Sequence, residues 1–219
     1  MKINIFIQAR MSSARFPGKV LAPLHNKPLI KHVIDQAKKV SHIHKIVVVT
    51  SLEESDDPLS SYLEYIKCDY FRGHLDNVFD RFQSGLKIFI CDYFVRLSAD
   101  SPYLNPDLIE YMVREIKTAD YDLISNVMLR SFPKGQSIEI AKTKTFLNVN
   151  KMELTKEESE HVFPYFYQNK NKFKICSIKN NRDESRFNMC IDTIKDLTRL
   201  SVVQYPYQFC QPLPVEQNA

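Results

Sequence analysis

Between Lys2 and Ile116 the chain alternates four times between a short apolar run and a stripe of apolar residues at helical spacing. No other pattern in the sequence narrows the fold so far. The runs cover residues 2–7, 45–50, 69–72 and 93–97, and their length and β-branched or aromatic content mark them as strands. A helix is predicted after each. Pro28 stands at a first helical position ahead of Leu29, Ile30, Val33 and Ile34, and a polar cluster over 51–57 opens a helix to about Lys67. A third helix spans about 76–90, and Asn105 caps a fourth with Pro106 at its first position. Strands separated by helices predict an α/β fold with a mainly parallel sheet and right-handed crossovers.

In such sheets ligands bind outside the carboxyl ends of the strands. That rule selects residues 8–19, 50–57, 72–77 and 98–101 as neighbours before any chemistry is considered. The first loop is the most charged. QARMSSARFPGKVL carries Arg10, Arg15 and Lys19, the adjacent hydroxyls of Ser12 and Ser13, and a Pro17-Gly18 break. Cations and a glycine at a strand end suit a polyphosphate. The loop has neither G-x-x-x-x-G-K-[ST] nor G-x-G-x-x-G, so side-chain charge must do much of what backbone amides do in those motifs.

The second half is less regular. Residues 121–127 read as a strand, 132–135 as a turn, and 137–140 as an alternating edge strand near the substrate. Thr155 to Glu158 has the capping-box pattern and starts a helix through Tyr167 that Pro164 should kink or end. Strands are expected over 173–178 and 187–191, and a last helix from about Thr193 past Leu200. With no repeat, low-complexity tract or linker, the 219 residues read as one domain.

Charge and cysteine usage exclude some functions. A formal net charge of +4, without a run of like charge, argues against nucleic acid as a partner and is compatible with a small anionic ligand. The five cysteines (68, 91, 176, 190 and 210) are odd in number and never paired as C-x-x-C. They read as small hydrophobes in a reduced compartment. No leader-like segment precedes the first strand, and no apolar stretch approaches the roughly 20 residues that span a bilayer. The expectation is a cytoplasmic protein with no membrane partner.

Six stretches occur in an order known from one family. They are the opening loop with Asn26-Lys27-Pro28-Leu29, FRGHLDNVFDRF (71–82), RLSADSPYLNPDLI (96–109), YDLISN (121–126), ESEHVFPYFY (158–167) and MCIDTIKDL (189–197). Together they resemble the cytidylyltransferases that activate acidic sugars, the CMP-Kdo synthetases and acylneuraminate cytidylyltransferases. The strongest likeness is to the spore coat polysaccharide biosynthesis protein F family. The resemblance implies a glycosyltransferase-A-like nucleotidyltransferase fold. It also implies transfer of CMP from CTP to an anionic sugar, or another phosphate, phosphonate or acid, with release of pyrophosphate, in surface polysaccharide biosynthesis. A nucleotide-binding half over about 1–127, an acceptor and dimerisation half over about 128–219, and a homodimer follow from the same likeness.

On that likeness Arg10 and Lys19 hold the triphosphate, Ser12 and Ser13 add hydrogen bonds, and Arg15 contacts phosphate or closes the loop. Gln8, Arg96 and Ser98 lie beside the nucleotide, while Arg72, Asp76 and Asn77 line the base and ribose region. Asp100 and Asp192 match the acidic positions that bind Mg2+, which makes Arg10, Lys19 and Asp100 the catalytic set. Glu139 and His161 face the acceptor. Physical chemistry agrees with this division. Attack on an α-phosphorus needs its charge screened and the leaving pyrophosphate stabilised, which cations, a hard metal and positioning supply. A phosphate or phosphonate acceptor needs no general base, whereas a hydroxyl would use one, for which His161 is the candidate. Asp192 has a second reading as the cap of the last helix.

Three departures from the family pattern bear on the acceptor more than on the nucleotide. Ala99 replaces a glycine before Asp100, Ser137 stands where an acidic residue is common, and Asn188 stands where an arginine is expected. Arg186 would share a strand face with position 188 and substitute for that arginine. Two other functions compete. A nucleotide-sugar glycosyltransferase on the same fold would commonly carry Asp-x-Asp, and Ser98-Ala99-Asp100 lacks its first carboxylate. A non-catalytic nucleotide-binding protein would bind CTP without turnover.

Overall fold

The computed structural model describes residues 1–203 and the backbone of Glu216–Gln217; Cys210 lies outside the described residues. The first strand, β1 (Ile3–Gln8), is buried on both faces except at Gln8. A two-residue ribbon, β2 (Pro23–Leu24) against β3 (Lys27–Pro28), leads into α1 (Leu29–Ala37). Then follow β4 (Lys45–Ser51), α2 (Asp57–Tyr65), β5 (Asp69–Gly73), α3 (Val78–Ile88), β6 (Tyr93–Ser98) and α4 (Pro106–Glu115). β5, β4, β1 and β6 pair parallel in that spatial order, as the alternation of runs and stripes predicts.

The order places a switch in direction beside β1. From β1 the chain steps outward through β4 to β5, then returns across β1 to lay β6 on its other side. Keeping every crossover right-handed forces the helix of the return step onto the opposite face. Val33 and Ile34 of α1 and Leu59 and Leu63 of α2 therefore pack on one face. Phe79, Phe82 and Leu86 of α3 pack on the other. Where the direction reverses, the loops after β1 and β6 diverge and leave a crevice, the usual ligand position of an open α/β sheet.

The second half extends this sheet through β7 (Leu123–Ser125), β8 (Glu139–Lys142), β9 (Ile175–Ser177) and β10 (Glu216–Gln217). The whole order is β10-β9-β7-β8-β6-β1-β4-β5. Helices α5 (Thr143–Leu147), α6 (Lys156–Glu160), α7 (Pro164–Gln168) and α8 (Ile194–Ser201) complete the described chain. Rings dominate the face that carries α3. Phe79 stacks on Phe146 at 4.4 Å between centroids, and Phe94 meets Phe146 edge-on at 5.0 Å.

Several expectations for this half are corrected. The segment read as an edge strand over 137–140 is the interior strand β8, antiparallel to both β6 and β7. Its polar–apolar alternation looks half-exposed, yet Glu139 is buried because Arg96 faces it from β6 and pairs with it. Residues 187–191 form no strand. Asn188 makes an isolated parallel bridge with Lys134, through the Lys134 amide on the Phe187 carbonyl and the Met189 amide on the Lys134 carbonyl, and the Ile191 amide donates to the Asp100 carbonyl. The helix from Thr155 is interrupted ahead of Pro164, the residue expected to kink or end it: α6 ends at Glu160, His161 is extended, and α7 restarts with Pro164 in its first turn. The strand expected over 121–127 spans three residues.

Among the described residues no helix is long and apolar enough to cross a membrane. Cys91 and Cys176 are buried and Cys68 and Cys190 half-buried, all as free thiols. Burial pushes Cys68 up to about 11 and both Cys176 and Cys190 up to about 12, values that suit packing rather than reactivity.

Candidate active site

The crevice between the ends of β1 and β6 is a cleft of about 420 Å3. Its floor is made by Gln8 and Ala9 from the end of β1, and Ser98, Ala99 and Asp100 from the end of β6. The Ala99 amide donates to the Gln8 carbonyl, so the two strand ends stay in register as their chains separate. Ala99 is not among the residues with positive φ, which explains why a methyl is accepted where the family pattern has glycine.

The charged loop folds back on itself over this floor. The Ser13 and Gly18 amides both donate to the Met11 carbonyl, at 2.9 and 2.8 Å, and Gly18 takes a left-handed conformation at φ 74°. That turn delivers Lys19 into the cleft at the start of a 3-10 turn. The loop is tied to the neighbouring strand by Asp56, which accepts from the Met11 amide at 2.7 Å. Its second oxygen accepts from the Thr50 and Ser51 hydroxyls and the Ser51 amide. Burial alone would raise the Asp56 pKa, but these donors outweigh it and hold the carboxyl below its ordinary value.

Two carboxylates converge on Lys19. Its Nζ lies 2.9 Å from Asp100 Oδ2 and 2.8 Å from Asp192 Oδ1, and Arg15 Nη2 lies 3.1 Å from Asp192 Oδ2. The partners come from residues 81 and 173 positions away in sequence. A backbone bond from the Ile191 amide to the Asp100 carbonyl, at 2.9 Å, brings the two acidic segments together. Burial works against charge on both Lys19 and Asp100. Their attraction prevails, helped at Asp100 by the Ser98 hydroxyl and the Arg96 guanidinium, so Lys19 lies above and Asp100 below its ordinary pKa.

The sequence matches the cytidylyltransferase family over residues 4–217, nearly the whole chain. The protein is a member of the cytidylyltransferase family. It is 30% identical over 200 residues to an uncharacterized protein of Methanocaldococcus jannaschii, covering 90% of this chain and 80% of that one. It is 29% identical over 170 residues to the spore coat polysaccharide biosynthesis protein SpsF of Bacillus subtilis, covering 74% and 69%. A solved cytidylyltransferase from Leptospira borgpetersenii superposes with a TM-score of 0.87 at 30% identity, over 92% of this chain and 85% of that one. A CMP:2-keto-3-deoxy-manno-octonic acid synthetase superposes with a TM-score of 0.67 at 17% identity, which speaks for the nucleotidyltransferase fold alone. The chain is therefore a CTP-dependent cytidylyltransferase.

The cytidylyltransferase cleft gathers much of the site read from sequence. Gln8, Arg10, Ser13, Arg15 and Lys19 line it from the first loop, and Arg96, Ser98 and Asp100 from β6 and its end. Asp192 and His161 line it from the second half. His161 reaches the cleft from the break between α6 and α7. Glu139 lies behind the wall, accepting from Arg96 Nη1 at 3.2 Å and from the Tyr167 hydroxyl, while Arg96 Nη2 donates to Gln8 Oε1 at 2.9 Å.

Other residues of that reading lie elsewhere. Arg72 is occupied with the loop after β4: it donates to the Ser51 and Glu53 carbonyls and pairs with Asp57 at 2.7 Å. Asn77 caps α3 by accepting from the Asp80 amide, and Asp76 is exposed with its amide turned to His74 Nδ1. Ser12 is exposed outside the cleft lining. Arg186 is exposed too, its guanidinium 4.9 Å over the Phe187 ring, because 187–191 is not the strand that would have aimed it inward. Asn188 uses its side chain to accept from the Cys190 amide.

Sequence reasoning missed Asp56, Tyr167 and Asp196. Asp56 sat inside a selected loop, but nothing local distinguishes it from Glu53, Glu54 and Asp57. Asp196 forms a capping box with Thr193 and also accepts from the Asp192 amide at 3.2 Å. The Thr193-x-x-Asp196 spacing was the available signal.

Proposed function

We propose that the chain transfers CMP from CTP to a small anionic acceptor, a sugar acid or another phosphate, phosphonate or acid, in surface polysaccharide biosynthesis. The observation that carries the reading is the convergence of Arg10, Arg15 and Lys19 with Asp100 and Asp192 in one cleft. An acceptor oxygen attacks the α-phosphorus, the bond to the bridging oxygen of the β-phosphate breaks, and pyrophosphate leaves with that electron pair. Arg10, Arg15 and Lys19 neutralise charge on the triphosphate and the departing pyrophosphate. Arg96, fixed between Gln8 and Glu139, presents one oriented cation at the floor. If the acceptor is a hydroxyl, its proton passes to His161 or to solvent; an acceptor already ionised has none to lose. The relatives named for SpsF and for 3-deoxy-manno-octulosonate cytidylyltransferase support a sugar acid and a polysaccharide setting.

Asp100 and Asp192 would hold Mg2+. The fit is chemical and geometric: two hard carboxylate oxygens approach a single point in the cleft, and Mg2+ commonly takes one or two carboxylates beside phosphate oxygens and water. When bound, the ion screens the phosphate charge. A homodimer and a cytoplasmic location belong to the same proposal; light scattering of the purified chain tests the first.

Pyrophosphate release measured with each of the four nucleoside triphosphates and a panel of sugar-acid and phosphorylated acceptors tests the reading. CTP with Mg2+ should support turnover alone among the four. Asp100→Ala should lower kcat by at least about a hundredfold, the scale of losing a preorganised electrostatic group. Undiminished turnover in that variant would remove Asp100 from the mechanism.

A further inference from the structure

The point between Asp100 and Asp192 is filled by the protein's own cation. Lys19 Nζ is within hydrogen-bond distance of both carboxylates, and Arg15 holds the other oxygen of Asp192. Two cations and two carboxylates thus cancel within the site. A divalent ion bonded to the same two oxygens at about 2.1 Å takes the position the ammonium now holds between them, and the two positive charges repel. We propose that Lys19 is an exchangeable plug of the carboxylate pair, so that the metal enters together with the triphosphate that draws Lys19 away. This rests on the reading of Asp100 and Asp192 as the metal pair.

The charges around the cleft say why the two ligands are coupled. Asp100 and Asp192 are the acidic residues in the lining, whose other ionisable members are Arg10, Arg15, Lys19, Arg96 and His161. Lys19 is buried, with its side chain 11% exposed. An ammonium displaced by metal alone would therefore leave its carboxylates and face other cations with little water to screen it. When a triphosphate is present, the displaced ammonium moves onto phosphate oxygens instead, and Arg15 is released to do the same. The metal then neutralises the carboxylates that the loop gave up. Coupling of this kind is reciprocal: nucleotide strengthens metal binding by the factor with which metal strengthens nucleotide binding.

Mn2+ without nucleotide is the direct probe, its binding to the full chain followed by loss of the free-ion electron paramagnetic resonance signal. Wild type should bind weakly. Lys19→Met, nearly isosteric and uncharged, should bind about tenfold tighter or better, because two charge-assisted hydrogen bonds no longer compete. Lys19→Arg should stay weak, and Asp100→Asn added to Lys19→Met should abolish the gain. Wild type binding Mn2+ as tightly as Lys19→Met, through Asp100, overturns the plug and leaves the metal pair standing. No Asp100-dependent site in either protein overturns the plug as well, and the metal pair is then judged by the Mg2+ dependence of pyrophosphate release.

A second measurement needs no variant. The melting temperature of the wild-type chain is followed with Mg2+ alone, CTP with a chelator, and both together. The joint shift should exceed the sum of the separate ones. Strictly additive shifts overturn the proposal.

Discussion

The buried Asp56 carboxylate accepts from the Met11 and Ser51 amides and the Thr50 and Ser51 hydroxyls, and through Met11 it holds the charged first loop to the end of β4. Removing it leaves the donors of buried Thr50 and Ser51 without their acceptor. Asp56→Ala should cost on the order of 3 kcal/mol, the scale of several buried partners lost at once. In a chain of this size that lowers Tm by about 6–12 °C in a thermal melt. The sign of its pH dependence follows from its lowered pKa. Stability from Asp56 is complete above the ordinary carboxylate range and is lost as pH falls through the lower, folded value. The stability gap between wild type and Asp56→Asn should therefore be flat above about pH 5 and narrow below about pH 4. A gap that widens in acid would contradict this assignment. The cations of the loop were legible because three positive side chains directly after a strand have few structural duties. Arg72 looked the same and had one: its partners at Ser51, Glu53 and Asp57 lie on another loop, at a distance no local pattern reveals.

Helix α8 does more than close the fold. Its N-cap is Thr193, whose side chain accepts from the Asp196 amide, while Asp196 accepts from the Thr193 hydroxyl and amide. The same carboxylate takes the Asp192 amide, so the capping box orients the residue just before it and leaves the Asp192 side chain to face Lys19 and Arg15. The reading of Asp192 as the cap itself is thereby displaced by one residue. Asp196→Ala should cost about 1 kcal/mol as a lost cap. Its effect on pyrophosphate release should be larger, about a tenfold fall in kcat/KM for CTP, which corresponds to 1.4 kcal/mol at the transition state. Asp196→Asn keeps an acceptor oxygen and should restore much of it. A fall in stability with unchanged kcat/KM would make α8 a purely structural element. At this scale the helices with a clear stripe were legible. β8 was misplaced at an edge because Arg96 neutralises Glu139 from the next strand, so burial left no apolar mark in its sequence.

The division near residue 127, drawn by function within one domain, separates chain segments that pack together. β8, from the second half, pairs with β6, from the first, and separates it from β7. On one face Ile5 and Val95 share a core with Ile138, Ile140 and Ile178. On the other, Phe6 and Phe94 share one with Phe146, Phe163 and Phe166. Phe94 meets both Phe146 and Phe163 within 6.0 Å, so the aromatic face of the parallel strands is covered by α3 and the later chain together. The cleft repeats this arrangement, since Asp100 comes before the division and Asp192 after it, joined by the Ile191 amide on the Asp100 carbonyl. A fragment of residues 1–127 would expose the aromatic face and leave the β6 edge unpaired, a surface prone to association rather than to independent folding. The full chain should therefore unfold in urea as one transition, coincident by far-UV circular dichroism and by tyrosine fluorescence. Two resolved transitions, or a monomeric 1–127 fragment with dispersed amide resonances, would show that the halves are separate folding units. In that case the carboxylate pair would sit at a domain boundary and the approach of Asp192 to Asp100 would be a docking step. Coincident transitions make the pair part of the folded core, assembled before any nucleotide arrives, with Lys19 the element left to move.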